Sequence, residues 1–254
     1  MLLLFFSEVR IMIISPLVSY TNITDKSNAR THKIDTITPH CIVGQWTAKQ
    51  AADYFVKNGK QNSVNYCIGY DGKISCNVPE ERRAWTSSSK SNDMRAVTIE
   101  IASDTEKPYK MTDRALYALA DLMVDICKRN GIPKLVWAEN STDRRNHKGG
   151  ANVTLHRDFA NTSCPGDFLV GKIPAIIAEV NELLSETFDW SAVKKGDTVH
   201  IDEDVVVYNS ESDALKARNP RKTYPAGDYF VYKVSGQCVN ISKNKLLPGG
   251  WILP

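Results

Sequence analysis

Apolar and polar positions along this chain follow two different rhythms, and the change falls near residue 187. Before it, strand-like and helix-like segments alternate. Ile34 to Val43 is apolar and rich in β-branched residues, which predicts a strand. Thr47 and Gln50 form a capping box, and Ala48, Ala51, Ala52 and Phe55 then share one helical face up to Gly59. Ser63 to Tyr70, Asp71-Gly72 and Lys73 to Val78 predict a β-hairpin, because Asp-Gly suits the primed turns that join twisted strands. Ala96 to Ala102 predicts another strand. Thr112 caps a longer helix carrying Leu116, Leu119, Met123, Ile126 and Cys127 at helical spacing, with Gly131 as its stop. Leu135 to Trp137 reads as a short buried strand, Glu139 to Val153 as a long polar loop, and Ala175 to Leu184 as a last helix with Pro174 in its first turn. The sum is an α/β unit with a central mixed β-sheet flanked by helices.

The remainder reads differently. Gly196 to Ile201, Val205 to Tyr208, Asp228 to Val234, Cys238 to Ile241 and Trp251-Ile252 are short strand candidates separated by Gly, Pro, Asn and Ser. They predict a small all-β, SH3-like barrel over 191–254, joined at Asp189 to Lys195 to a first domain over 12–187. Tyr208, Tyr224, Tyr229, Tyr232 and Trp251 either line a binding surface there or fill the barrel.

Composition narrows the class. Of 254 residues, 42% are hydrophobic and 24% charged, which excludes disorder, collagen and coiled coil. The net charge of +3 is spread without a basic stripe, so no nucleic-acid partner is expected. The apolar run Leu2 to Phe6 is too short for a membrane span and lacks the flanks of a signal peptide, so stable membrane insertion is not expected either. Met12 offers an alternative start, which would leave residues 1–11 outside the fold. The six cysteines form no CxxC pair and read as mostly reduced thiols.

Chemistry concentrates in a few residues. His40 lies at the end of the first strand, where a lone histidine is more often a core residue than a ligand. His156 and Cys164 share the segment Leu-His-Arg-Asp-Phe-Ala-Asn-Thr-Ser-Cys-Pro-Gly. Two imidazoles and a thiolate make a three-donor zinc site with an open fourth position. A thiol before a helix start is expected to have a lowered pKa, although a buried structural cysteine fits the same spacing. Glu100 interrupts the strand Val-Thr-Ile-Glu-Ile-Ala. It is either a general base beside the metal or a partner for Arg95. His147, in the long loop, is a further candidate for substrate contact or ligation; His32 and His200 read as surface residues.

In this order, the strand ending in His40, the segment Ser-Val-Asn-Tyr-Cys-Ile-Gly-Tyr-Asp-Gly, the Glu100 strand and His-Arg-Asp-Phe…Cys-Pro-Gly-Asp resemble the zinc-dependent N-acetylmuramoyl-L-alanine amidases of the amidase-2 family, which share a fold with peptidoglycan recognition proteins. The likeness spans about residues 12–187 and is strongest to prophage endolysins of Gram-positive gut bacteria. It implies Zn2+ held by His40, His156 and Cys164, and Glu100 as catalytic acid or base. It also implies a substrate groove lined by Tyr66 and Trp85, and bacterial peptidoglycan as partner. The expected reaction is hydrolysis of the amide between the lactyl group of N-acetylmuramic acid and L-alanine of the stem peptide. Thr162 stands where some phage amidases carry an oxyanion-stabilising lysine, and amidase-active recognition proteins carry threonine. Val64 stands where some relatives carry a catalytic tyrosine; period-2 alternation would put Tyr66 on the same strand face. Lys-Lys-Gly-Asp-Thr-Val and Gly-Gly-Trp-Ile give the tail a likeness to SH3-like wall-binding modules. The endolysin likeness further implies synthesis in the cytoplasm without a signal peptide and action on the wall after holin-type release, with a homodimer left open. The alternatives are a non-catalytic recognition module and a cysteine peptidase using Cys164 or Cys41 with a histidine.

Overall fold

The computed structural model describes residues 12–185 and 190–254; the Leu2 to Phe6 run and the Asp189 end of the expected junction lie outside them. The chain divides into two compact units, residues 1–186 and 187–254. The described elements of the first are β1 (Val18–Thr21), β2 (Asn28–Ala29), β3 (Thr36–Cys41), α1 (Ala48–Lys57), β4 (Tyr66–Ile68), β5 (Ile74–Cys76), β6 (Arg82–Arg83), α2 (Lys90–Arg95), β7 (Ala96–Ile101), α3 (Asp113–Arg129), α4 (Ser141–Arg145), β8 (Asn152–Val153) and α5 (Asp167–Ser185).

Six strands form one mixed sheet in the order β1-β5-β4-β7-β3-β8. Only the β4–β5 hairpin is antiparallel; β1–β5, β4–β7, β7–β3 and β3–β8 are parallel. The hairpin turns at Gly72, whose φ of +80° admits glycine without strain. Alternation sorts the sheet's two faces. Ile37, Val97, Ile99, Ile101, Tyr66 and Ile68 enter the main core beneath α3 and α5. Thr38, Thr98, His40 and Glu100 fall on the opposite face, since β3 and β7 pair Thr38 with Thr98 and His40 with Glu100. On that face α1 packs Ala51 and Phe55 against Ile42, Val64 and Cys67.

The expected capping box is present: Thr47 Oγ1 accepts from Gln50 N, and Gln50 Oε1 accepts from Thr47 N. Thr112 caps α3 in the same manner. Three expectations need correction. The last helix begins at Asp167, not near Ala175, so Pro174 lies inside it. The 135–137 segment makes an isolated bridge from Val136 to Asn152 and no strand. The long polar loop contains α4, capped by Asn140, because Asn140 Oδ1 accepts from Asp143 N at 2.8 Å.

The second unit contains β9 (Thr198–Ile201), β10 (Val205–Tyr208), α6 (Glu211–Leu215), β11 (Pro220–Tyr224), β12 (Gly227–Ser235), β13 (Cys238–Ser242) and β14 (Gly250–Ile252). They form a six-stranded sheet in the order β11-β10-β14-β13-β12-β9, with every pairing antiparallel. The strand β11 and the helix α6 were not foreseen. Val199, Val207, Tyr229, Val231, Val239, Ile241 and Ile252 fill its core. Two glycines let β14 approach its neighbours. A Cβ on Gly250 would stand 2.4 Å from Val207 Cβ, and one on Gly249 1.9 Å from the Ile241 carbonyl oxygen. We expect Gly250→Ala to cost about 1–3 kcal/mol by overpacking. The amides of β10, β13 and β14 should lose hydrogen-exchange protection, while those of the first unit keep theirs.

Candidate active site

Three potential metal donors, from positions far apart in sequence, converge at the carboxyl end of β3. Donor atoms of His40, His156 and Cys164 all lie within 4.8 Å of one another, and theirs is the only such group of three among the described residues. His40 Nδ1 is 3.5 Å from Cys164 Sγ, and the His40 and His156 rings are 4.9 Å apart. Glu100, beside His40 through the β3–β7 register, brings Oε1 to 3.9 Å from His40 Nδ1. It has no ion pair with Arg95, which instead grips Asp35 with two hydrogen bonds.

Each letter of the His-Arg-Asp…Cys motif has a structural task. His156 opens a 3-10 turn over His156–Asp158. Asp158 takes two hydrogen bonds from Arg144, at 2.6 and 2.9 Å, and accepts from Leu155 N at 2.8 Å. Both partners of that ion pair are buried. Arg144 also donates to the carbonyls of Ala138 and Glu139, so the pair ties the α4 segment to the turn that presents His156. Arg157 donates to the carbonyls of Ser163 and Cys164 and to Asp167, holding the Cys164 turn against the start of α5. On the other side, Ser88 lies 3.2 Å from His156 Nε2, which leaves Nδ1 as the free donor of that ring. Asp93 fixes the Ser88 loop by accepting from Thr86 N and Ser87 N. Sequence reasoning missed Ser88 and Asp93; the run Trp-Thr-Ser-Ser-Ser before a helix start was the available signal.

Burial sets the protonation states. It holds the His40 ring well below the usual histidine range, with His156 adding to the effect; His156 is also lowered by burial. Both imidazoles are therefore neutral near pH 7 and able to donate lone pairs. Glu100 is pushed up to about 8 by burial, reinforced by Cys41. Cys164 is raised, first by its hydrogen bond with the Cys41 thiol and then by burial and Glu100. This reverses the expectation of a helix-lowered thiol. Cys164 stands three positions before the first residue of α5, and its immediate surroundings outweigh the helix end. A raised thiol is a poor free nucleophile and argues against a peptidase that uses Cys164, whereas the same hydrogen bond lowers Cys41.

The residues fit a metal ion. A tetrahedral cation bonded at about 2.0–2.1 Å to nitrogen and 2.3 Å to sulfur holds such a pair about 3.5 Å apart, which is the His40–Cys164 spacing. His40 Nε2 is buried without a hydrogen-bond partner.

The other predicted residues divide. Thr162 is half-buried beside the site, and its Oγ1 accepts from Cys164 N at 3.2 Å. Trp85 is half-buried in the loop leading to Ser88, its indole N–H donating to Asn28 Oδ1. Tyr66 must be corrected. It is fully buried in the main core, its hydroxyl donating to Glu80, and it pairs with Ile99 on the face away from Glu100. Val64 belongs to the α1 cluster, so the two do not share a face. His147 also leaves the candidate list. Its Nδ1 lies 2.9 Å from Asn152 Oδ1 and 3.3 Å from Thr36 Oγ1, at the start of β3. Thr36 is four residues, or about 13 Å of strand, before His40. A cavity of about 250 Å³ instead opens beside Glu100 and Cys41, walled by Trp46, Tyr54, Phe55 and Asn62.

Two neutral imidazoles, a thiol and a raised carboxyl, with His40 and Glu100 at the ends of parallel β3 and β7, make a site with the donor set of a metallohydrolase. The chain belongs to the family of N-acetylmuramoyl-L-alanine amidases (Amidase_2), whose family model matches residues 30–167, a span that contains all of these groups. Its activity is therefore that of a peptidoglycan amidase. In fold it is similar to the PlyG catalytic domain in solution, with 20% identity, 67% of this chain and 97% of that chain covered, and a TM-score of 0.50. It is likewise similar to the Staphylococcus aureus hydrolase AmiA in complex with its ligand, with 16% identity, 67% and 84% covered, and a TM-score of 0.50. The N-acetylmuramoyl-L-alanine amidase LysC from Clostridium intestinale shares 17% identity over 63% of this chain and 97% of its own, with a TM-score of 0.45. No curated protein matches the chain significantly.

Two outcomes follow from this geometry. Asp158→Asn leaves Arg144 buried without its counter-charge and should cost about 3–5 kcal/mol in a denaturant titration. Affinity for a metal ion at the His40, His156 and Cys164 donors, read with a competing chelator, should fall about 10- to 100-fold as His156 loses its support. The second outcome concerns Glu100. Its pKa is raised from 4.5 to about 8 in the folded metal-free chain. Above the lower value the unfolded chain releases this proton while the folded chain keeps it, so its contribution to stability falls as pH rises through that window. Glu100→Gln should then be more stable than the parent in chelator by of order 2–4 kcal/mol at pH 8, with the difference vanishing near pH 4.

Proposed function

We propose that this chain is a zinc-dependent N-acetylmuramoyl-L-alanine amidase of endolysin type. It would cut the amide between the lactyl group of N-acetylmuramic acid and L-alanine of the stem peptide. The observation that carries the zinc assignment is the gathering of the His40, His156 and Cys164 donors within 4.8 Å, with Glu100 alongside. Held by these three residues with a fourth position open, Zn2+ would supply Lewis-acid polarisation of the carbonyl and a more acidic water. Glu100 accepts the proton of the attacking water on a carboxylate oxygen and delivers it to the leaving nitrogen of L-alanine, so acid and amine are released with water consumed. Thr162, whose lone pair already takes the Cys164 N–H, keeps its own proton to donate toward the developing oxyanion. Ser88 and the Arg144–Asp158 pair hold His156 in place.

Residues 12–187 would form the catalytic domain and 191–254 an SH3-like wall-binding domain that keeps the enzyme on its substrate. The all-antiparallel sheet of the second unit supports that assignment. Among the described residues no helix is long and apolar enough to cross a membrane. The endolysin reading places synthesis in the cytoplasm and action on the wall after holin-type release.

Digestion of a purified muramyl peptide, followed by mass spectrometry, tests the assignment. Free stem peptide should appear, vanish on chelation and return with added Zn2+. Cleavage that persists through chelation would refute the zinc mechanism.

A further inference from the structure

The outer face of the second sheet carries lysines laid over aromatic rings. Register defines that face: β12, β13, β14 and β10 align Lys233 with Asn240, Asn240 with Trp251, and Trp251 with Tyr208, while Phe230 pairs with Ser242 and Thr198. These positions alternate with the core residues Val231, Val239, Ile241 and Ile252. Tyr232 falls at the register shift between Val231 and Lys233. Lys233 Nζ stands 5.8 Å from the Trp251 ring centroid, Lys245 Nζ 4.8 Å from that of Phe230, and Lys195 Nζ 5.4 Å from that of Tyr232. The three rings are half-buried and the three lysines exposed. None of these ammonium groups has a carboxylate partner among the described residues. Asp228, which alternates with Tyr229 onto this face, lies 2.6 Å from Nδ1 of the exposed His200.

We propose that this face binds an anionic wall polymer of phosphodiester-linked polyol units. Unpaired ammonium groups act as point charges for phosphate. The rings beside them offer apolar platforms for the carbon chain between phosphates. A neutral glycan would use the rings and leave the charges idle. A stem peptide would find a strand edge only at β9 or β11, because β12, β13 and β14, which carry these rings, are each paired on both sides. The inference rests on the wall-binding reading of residues 191–254 and names its ligand.

The test is co-sedimentation of the full chain, carrying Glu100→Gln so that walls stay undigested, with Gram-positive walls before and after hydrofluoric acid removes their phosphodiester polymers. Binding should fall at least tenfold on stripped walls and in 0.5 M salt (about a 4 Å screening length). Soluble poly(glycerol phosphate) should compete. The variant Lys195→Gln, Lys233→Gln, Lys245→Gln should show the same loss on intact walls, with an unchanged melting curve. Built on the native Glu100 chain, it should keep full turnover of a soluble muramyl peptide. Equal binding to stripped walls would overturn the proposal and leave the wall-binding reading standing. Binding to neither wall would overturn both. Undiminished binding by a folded triple variant would remove this face from the interaction.

Discussion

A guanidinium and a carboxylate buried together decide where the second histidine stands. Arg144 and Asp158 are both nearly inaccessible, and each alone would be a heavily penalised charge. Paired, they leave the chain little freedom. Arg144 also binds the Ala138 and Glu139 carbonyls, and Asp158 also binds the Leu155 N–H, so neither can move without stranding several polar groups. The α4 segment and the His156 turn are thereby locked as one piece against β3. Such a pair adds little net stability over an apolar replacement, yet it fixes a geometry that apolar packing alone would leave adjustable. The site depends on that, because the His156 donor must meet two others contributed by different parts of the chain.

The donor set is costly without a cation, and the cost is legible in its protonation. His40 and His156 are held neutral, Cys164 holds its proton, and Glu100 is pushed up to about 8. Burial leads for three of the four. For Cys164 the Cys41 hydrogen bond leads, with burial second. A buried pocket that excludes charge is also one that rewards a positive ion once it enters, since thiolate and carboxylate then have a counter-charge. Metal entry should accordingly release protons, the thiol's first. The lifted value of Glu100 belongs to the metal-free pocket, and a cation beside it would return the carboxyl to its charged form.

How much of this was legible in the sequence depended on whether local pattern and tertiary geometry agreed. The α1 capping box, the Asp71-Gly72 hairpin and the α3 face are local and appear as expected. Glu100 was legible as a carboxylate in an apolar strand. The structure gives the reason: alternate positions of β7 meet two different environments, a core beneath α3 and α5 and a polar face beside His40. Tyr66 was misplaced because period 2 fails one residue before it. The Thr98 N–H is taken by the side chain of Asn65, not its backbone, so the regular ladder starts only at Tyr66, and Val64 turns toward α1. The early part of α5 was missed because Pro174 suggested a first turn, whereas packing of Leu169 and Ile173 in the main core carries the helix through. The Arg144–Asp158 pair joins residues fourteen apart across a loop, and no local pattern announces it.

Thr162 holds the turn that presents the cysteine donor. Its hydroxyl accepts the Cys164 N–H, a backbone donor that the turn before α5 would otherwise leave unmet. A lysine at this position brings three donors and no acceptor, so it can approach an oxyanion but cannot receive that N–H. A threonine does the receiving and still has one proton to give, though a neutral donor stabilises developing charge less than an ammonium does. On the proposed mechanism the threonine would trade electrostatic strength at the reacting carbonyl for a better-held cysteine. Arg157, bound to the Ser163 and Cys164 carbonyls, acts on the same turn from its other side. Between them the thiol is fixed from both its amide and its carbonyl, which favours a preformed donor over one recruited only when metal arrives.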